Sequence, residues 1–152
     1  MAVITHTQVI DAPIDRVFHA VIDAGNYAAW NPTVTASRRV DEGELRDGSC
    51  SEWELKGLGA VILEFQEFEW NVRVRIVQQI RWLGGGHRFL LSTRGGGTQI
   101  DHELEMVPRG FLRLLGPMIT LNGRRNLRQT AEALQTYIEG TPAALPRTIR
   151  RV

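Results

Sequence analysis

Apolar and polar residues follow different periods in three parts of the chain, and each part predicts its own kind of element. Residues 3–10 are rich in β-branched side chains and predict a first strand. After Pro13, which suits a first helical position, apolar residues recur at helical spacing and predict an amphipathic helix. Residues 23–31 predict a turn and a short second helix, which must end before Pro32. The apolar face of the first helix consists of Ile14, Val17, Phe18, Val21 and Ile22.

Residues 33–108 alternate with a period of two, which is typical of β-strands. Breaks rich in glycine, at residues 57–59, 84–86 and 95–97, predict turns between the strands. Because successive strands joined by short turns run in opposite directions, we expect an antiparallel meander. The six predicted strands are residues 33–40, 49–56, 60–70, 72–83, 87–93 and 98–107.

A long amphipathic helix closes the predicted domain, because apolar residues again recur at helical spacing after Pro108. Pro117 marks either the first turn of this helix or a kink, and Gly140 ends it. Residues 1–140 are therefore predicted to form one domain, whereas residues 141–152 are predicted to form a flexible basic tail. The buried stripe of the helix consists of Leu112 or Leu115, Ile119, Gly123, Leu127, Ala131, Leu134 and Ile138.

The order strand, two helices, six strands and long helix predicts an α+β fold, in which a curved sheet wraps the last helix. A seven-stranded antiparallel sheet needs cover on one face, and the C-terminal helix is the only large apolar element left to provide it. One helix cannot fill the whole concave side of a bent sheet. The sequence therefore predicts a cavity between the sheet and the C-terminal helix.

Composition places the chain among globular proteins and removes several classes of chemistry. The 152 residues are 43% hydrophobic and 23% charged, and no apolar stretch is long enough for a transmembrane helix. A single cysteine, Cys50, excludes an internal disulfide and a multi-cysteine metal site. With no visible signal peptide, the sequence favours a cytoplasmic protein. No cofactor, metal or nucleic-acid partner is expected.

Charge is distributed unevenly, although the net charge is only +1. Residues 1–70 carry a net charge of −7 and residues 71–152 a net charge of +8. The simpler interpretation is that the two halves neutralise each other in contact, and the alternative is an anionic partner for the second half. Arginines on the last helix form either a solvated face or a basic patch attracted to an anionic membrane surface. The helix contributes Arg124, Arg125 and Arg128, and the patch also includes Arg113 and the tail arginines, Arg147, Arg150 and Arg151.

Strand parity assigns two histidines to the concave face of the predicted sheet. His102 shares its face with apolar neighbours in the last strand, and His87 is assigned to the same side in the strand before. His102 is a candidate general acid or base, although a hydrogen-bonded core histidine is the more frequent role. Tyr27 and Trp30 are expected at the entrance of the cavity. The predicted cavity residues are Tyr27, Trp30, Trp53, Leu63, Phe65, Ile76, His87, Phe89, Ile100, His102, Leu104, Leu115 and Ile119.

Several segments match a known superfamily in their order and spacing. They are residues 9–13 followed by Val17-Phe18, residues 27–32, residues 47–48, residues 95–98 and the closing helix. Over residues 2–139 the chain resembles the START-like (SRPBCC) superfamily, and within it the polyketide cyclase/dehydrase-like group. The resemblance implies the Bet v 1-like helix-grip fold. It leaves the function open, because members include polyketide cyclases, lipid and sterol carriers and quinone-binding proteins.

Three functions follow from this resemblance and the predicted cavity. The favoured one is binding of a small hydrophobic ligand, cyclic and polyketide-, lipid- or quinone-like. The alternative is a polyketide cyclase or dehydratase, in which His102 would be the acid or base and His87 an orienting group. The third is a lipid-transfer or interaction module that uses the basic patch, with membrane binding not favoured. Homodimers are compatible with the resemblance, but the sequence carries no signal for one.

Overall fold

Seven antiparallel strands form one sheet in the computed structural model, which describes residues 2–78 and 80–140. The predicted tail, residues 141–152, lies outside these described residues. The strands are β1 (Ala2–Ile10), β2 (Val34–Arg39), β3 (Cys50–Leu55), β4 (Gly59–Glu69), β5 (Arg73–Gln78), β6 (Leu83–Arg94) and β7 (Gly97–Pro108). Their order across the sheet is β1-β7-β6-β5-β4-β3-β2, so the first and last strands of the chain are neighbours. The predicted α+β meander is confirmed.

Two α-helices and two 3-10 helices complete the described fold. The α-helices are α1 (Ile14–Ile22) and α2 (Gly116–Gly140). The first 3-10 helix, Ala24–Ala29, follows α1, and the second, Gly110–Leu115, leads into α2. Pro117 lies in the first turn of α2, where its missing N–H has no helical partner to lose, so it starts the helix without kinking it.

The prediction for β5 and β6 was wrong in one respect. Residues 84–86 were expected to form a turn, but they belong to β6 and pair with β7, while β5 ends at Gln78. Close approach of neighbouring backbone explains the glycines. A Cβ on Gly85 would lie 2.0 Å from the Glu105 carbonyl oxygen, and one on Gly86 would lie 2.3 Å from the Ile76 carbonyl oxygen. Glycine is therefore required where β6 is held between β5 and β7.

The hydrophobic core lies between the concave face of the sheet and the helices, and it has two parts. The larger cluster joins α1 to the sheet and to the last turns of α2, with Phe18, Ile100 and Leu134 all buried. The smaller cluster surrounds Leu127 in the middle of α2. Near it α2 approaches the sheet so closely that a Cβ on Gly123 would lie 2.5 Å from the Met106 Cε. The larger part of the core therefore lies at the α1 end, and the smaller part lies under the middle of α2.

Candidate functional site

A cavity of about 370 Å³ lies between the sheet and the first half of α2, as the sequence predicted. This volume falls near the lower end of the range of small-molecule sites. Its apolar wall comes from the sheet, from two strand connections and from one side chain of α2, whereas amide and other polar side chains stand around it. The apolar residues are Trp53, Leu55, Leu58, Ile80, Leu83, Leu104, Met106 and Ile119, and the polar ones are Asn31, Thr33, Lys56, Gln78, His87, Asn122 and Asn126.

His87 and His102 form a hydrogen-bonded pair beside this cavity. The His87 Nδ1 lies 2.9 Å from the His102 Nε2. In the register of β6 and β7, His102 pairs with Phe89, so His87 reaches it diagonally across the strands. The ring of Phe89 stacks on His102 with a centroid distance of 4.1 Å and fixes its orientation. His87 borders the cavity, and His102 lies buried behind it.

Both histidines of the pair are neutral at physiological pH. Burial lowers the pKa of His87 to about 4. Burial also holds the pKa of His102 well below its usual value, and the neighbouring His87 and His6 lower it further. Two neutral imidazoles can share one hydrogen bond, because each has one donor and one acceptor nitrogen. The pair can therefore donate or accept a hydrogen bond at the cavity wall without placing a charge there.

His6 is a third histidine beside this pair, and its position was not predicted from the sequence. In the β1–β7 register His6 stands directly opposite His102. The signal was present in the alternation of β1, where Ile4 and Ile10 are buried and His6 has the same parity. A row of three histidines thus crosses β1, β7 and β6 on the concave face.

The predicted cavity residues separate into three groups. Four of them line the cavity: Trp53, His87, Leu104 and Ile119. Eight are buried in the core instead: Tyr27, Trp30, Leu63, Phe65, Ile76, Phe89, Ile100 and His102. Leu115 is 38% exposed at the end of the second 3-10 helix and does not line the cavity. Parity identified inward-facing residues, but it could not tell which of them α1 covers.

The aromatic residues expected at an entrance are part of the core. Tyr27 stacks on Trp53 with a ring-centroid distance of 4.4 Å, and Trp30 contacts Tyr27 at 4.6 Å. The Tyr27 hydroxyl donates a hydrogen bond to the Val21 carbonyl oxygen. The Trp53 Nε1 donates to the Ala24 carbonyl oxygen at 3.0 Å. Because both polar groups are satisfied, these aromatic side chains can be buried, and only Trp53 of the three lines the cavity.

A second concave region of about 690 Å³ lies at the opposite end, and no pattern in the sequence indicated it. It opens between α1, the β2–β3 connection and the end of α2, and its lining combines apolar side chains with charged ones of both signs. Burial raises the pKa of the Asp23 carboxyl here. The charged and aromatic lining residues are Arg16, His19, Asp23, Arg39, Glu44, Trp70 and Tyr137.

Other chemistries receive no support from the described residues. Within residues 2–78 and 80–140, no group of three histidine, cysteine, aspartate or glutamate side chains could hold a metal ion. Burial, with the charges of Glu64 and Asp41, raises the pKa of the Cys50 thiol, so this thiol is a poor nucleophile. No helix in the described part of the chain has the length and apolar character needed to cross a membrane.

The curved antiparallel sheet and the long helix across its concave face define a helix-grip fold with a cavity between the sheet and the helix. The family described as polyketide cyclase / dehydrase and lipid transport matches residues 1–139. The chain belongs to this family. Among curated proteins, none matches the sequence of this chain significantly.

Solved structures of similar fold have diverged far in sequence. A START superfamily protein from Mycobacterium smegmatis superimposes with a TM-score of 0.78 at 17% identity, covering 91% of this chain and 97% of its own. A protein from Thermus thermophilus gives 0.76 at 18% identity, with coverage of 91% and 98%. The Zhui aromatase/cyclase from a Streptomyces species gives 0.72 at 14% identity, with coverage of 91% and 93%. At these identities the likeness extends to the fold alone.

Proposed function

We propose that the protein binds a small hydrophobic molecule in the cavity between the sheet and α2. The observation that carries this proposal is the cavity itself, which has an apolar wall and a few polar groups of fixed position. Its size favours a compact cyclic molecule over an extended acyl chain. The indole of Trp53 offers a flat apolar surface, and His87, Asn122 and Asn126 offer hydrogen bonds to a carbonyl or hydroxyl oxygen.

The test is a panel of polyketide-like, quinone-like and lipid ligands, screened by thermal shift and followed by titration calorimetry. Asn122→Trp places a large side chain at the cavity from an exposed position on α2, so the helix tolerates it and the cavity narrows. Arg125→Trp is the matched control, because Arg125 is an exposed residue of the same helix outside the lining. We expect Asn122→Trp to weaken binding by about tenfold or more, equivalent to about 1.4 kcal/mol. Equal affinity for both variants, or no ligand in the panel that binds, would contradict the proposal.

Catalysis of a cyclisation or dehydration is the second candidate, and the histidine pair favours it. His87 borders the cavity, so it is the member of the pair that would touch a substrate. In a dehydration, His87 would take a proton from the carbon beside a carbonyl group. The imidazolium would return the proton to the leaving hydroxyl, so that water departs and a C=C bond forms. His102 would position His87 through the 2.9 Å hydrogen bond.

Binding ranks above catalysis because of the acid–base strength of the pair. A pKa of about 4 makes His87 a weak base at neutral pH, whereas an efficient general base has a pKa near the working pH. A cyclase could still act by folding a reactive chain in the cavity, which needs few catalytic groups.

Turnover by two variants distinguishes these roles. We expect His87→Gln to lower kcat by about a hundredfold or more with little change in ligand Kd. His102→Gln should lower kcat less and shift its pH profile, because His102 positions the reacting ring. If only His102→Gln loses turnover, His102 transfers the proton and His87 is the positioning residue. Full turnover in both folded variants would remove the pair from the mechanism and leave the binding proposal intact.

A further inference from the structure

A continuous apolar stripe lies exposed on the second 3-10 helix and the start of α2. Its residues recur at helical spacing, so they share one face, which in most helices would be turned toward a core. Here that face is open to solvent: Phe111 is 73% exposed and Leu114 is 85% exposed. Exposed apolar patches of this kind mark interaction surfaces in folded proteins. This 111–121 stripe consists of Phe111, Leu114, Leu115, Met118 and Leu121.

The chain around the stripe carries only positive charge. Residues 106–131 contain five arginines and neither aspartate nor glutamate. Among the residues that the structure describes, none of these arginines forms an ion pair. Their charges are therefore not neutralised by neighbouring carboxylates. The five are Arg109, Arg113, Arg124, Arg125 and Arg128.

We propose that the 111–121 stripe docks this protein on an anionic lipid bilayer, with the start of α2 lying along the membrane surface. An interfacial helix combines exposed leucine, methionine and phenylalanine with basic residues beside them, which is the composition found here. Anionic headgroups would neutralise the arginines, and the apolar side chains would enter the boundary with the acyl chains. A second copy of this face fits less well, because two surfaces with five arginines each repel one another.

The position of the stripe links the membrane to the cavity. Ile119 and Asn122 belong to the same helical segment and line the cavity. The Arg109 backbone N–H donates to the Trp82 carbonyl oxygen at 2.9 Å, which ties the β5–β6 connection to the residue that precedes the second 3-10 helix. Trp82 and Leu58 lie on strand connections at the cavity, and they are 40% and 45% exposed. Both add apolar surface on this side of the molecule. Docking would thus bring the cavity to the bilayer; this consequence, unlike the docking itself, rests on the proposed ligand function.

Vesicle co-sedimentation of the ligand-free, full-length protein tests the docking separately from ligand binding. We expect binding to vesicles of phosphatidylcholine mixed with phosphatidylglycerol, and far weaker binding to phosphatidylcholine alone. The double variant F111S/L114S should lower the partition by about tenfold or more. Leu90→Ser is the matched control, because Leu90 is 45% exposed on the convex face of β6, away from the stripe. This control should bind like the parent protein.

A charge variant measures the electrostatic contribution to vesicle binding. Removal of one basic residue costs about 1 kcal/mol of membrane attraction, so Arg113→Gln should weaken binding about fivefold. Arg38 lies on β2 and pairs with Glu52 on β3, away from the stripe, so Arg38→Gln should leave vesicle binding unchanged. Rising salt should weaken binding of the parent protein.

Three results would overturn the docking proposal. The first is equal binding to neutral and anionic vesicles, or no binding to either. The second is unchanged binding of F111S/L114S. The third is a parent dimer in analytical ultracentrifugation that F111S/L114S dissociates, or an acidic protein partner that competes with the vesicles for the stripe. Either form of the third result would assign the stripe to a protein interface.

Discussion

The two ends of the space between the sheet and α2 are built differently. At one end α1 adds a second helix, and Phe18, Ile100 and Leu134 are fully covered. At the other end α2 is alone on the sheet, Ile119 is half-buried, and a cavity of about 370 Å³ remains. A single helix is about 10–12 Å across, which is too narrow to cover seven strands spaced about 4.8 Å apart. The position of α1 therefore decides which part of the sheet is covered by packed core and where the cavity beneath α2 remains.

Truncation of one apolar side chain at each end should give the largest contrast. Leu134→Ala should lower the free energy of unfolding by about 2–5 kcal/mol, because the removed atoms leave a void in a packed core. Ile119→Ala should cost less than about 1 kcal/mol, because its side chain already borders a cavity. Urea denaturation of both variants measures these losses. Equal losses would mean that the two ends are packed alike.

Gly85→Ala should lower the free energy of unfolding by about 3 kcal/mol. Its Cβ would lie 2.0 Å from the Glu105 carbonyl oxygen, and its φ of +114° disfavours any side chain. Gly96→Ala is the control, since a Cβ there meets no atom within 4 Å and that turn accepts it at a cost below about 1 kcal/mol. Thermal and urea unfolding report both values. A stable Gly85→Ala protein would refute the close approach that holds β6 beside β7.

The pair of His87 and His102 should make the protein less stable in mild acid. Between pH 6.5 and about 4 the unfolded chain protonates His87 while the folded protein keeps it neutral, so the unfolded state binds more protons. The free energy of unfolding should therefore fall as pH falls, by about 1.4 kcal/mol per pH unit for His87, with His102 adding in the same direction. His87→Gln should flatten this slope in urea titrations at several pH values. His19→Gln retains both buried histidines, so an equal flattening in that control would assign the slope to other groups.

Serine substitutions in the 111–121 stripe should have the smallest effect on stability. Phe111→Ser and Leu114→Ser remove side chains that contact little of the protein, so each should change the free energy of unfolding by less than about 0.5 kcal/mol. Chemical denaturation in the absence of lipid gives the value. A loss of several kcal/mol would show that the stripe is packed in solution and is not available to a membrane.

Local patterns in the sequence were sufficient for most of the fold. The helical stripe ending at Ile138 predicted α2, and turn chemistry predicted the meander, because both depend on residues close in the chain. The glycines at residues 84–86 were misassigned because turns and close backbone approach need the same residue type. Only the strands on either side, which supply the Glu105 and Ile76 carbonyl groups, distinguish the two cases.

The candidate site was less accessible to sequence reasoning. Parity placed His87 and His102 on the concave face, but their 2.9 Å contact depends on the offset between β6 and β7, which periodicity does not encode. Tyr27 and Trp30 were assigned to an entrance because nothing local to them reveals the Trp53 ring against which they pack. The second concave region was missed because it depends on how α1, the β2–β3 connection and the end of α2 meet, which no periodic pattern encodes.

Methionine-methyl NMR tests the central claim most directly, because the two described methionines report on different surfaces. Met106 lines the cavity, whereas Met118 lies in the exposed stripe. Addition of a ligand that stabilises the protein should shift the Met106 methyl resonance and leave that of Met118 in place. A stabilising ligand that shifts Met118, or neither methyl, would place binding outside the cavity and contradict the account.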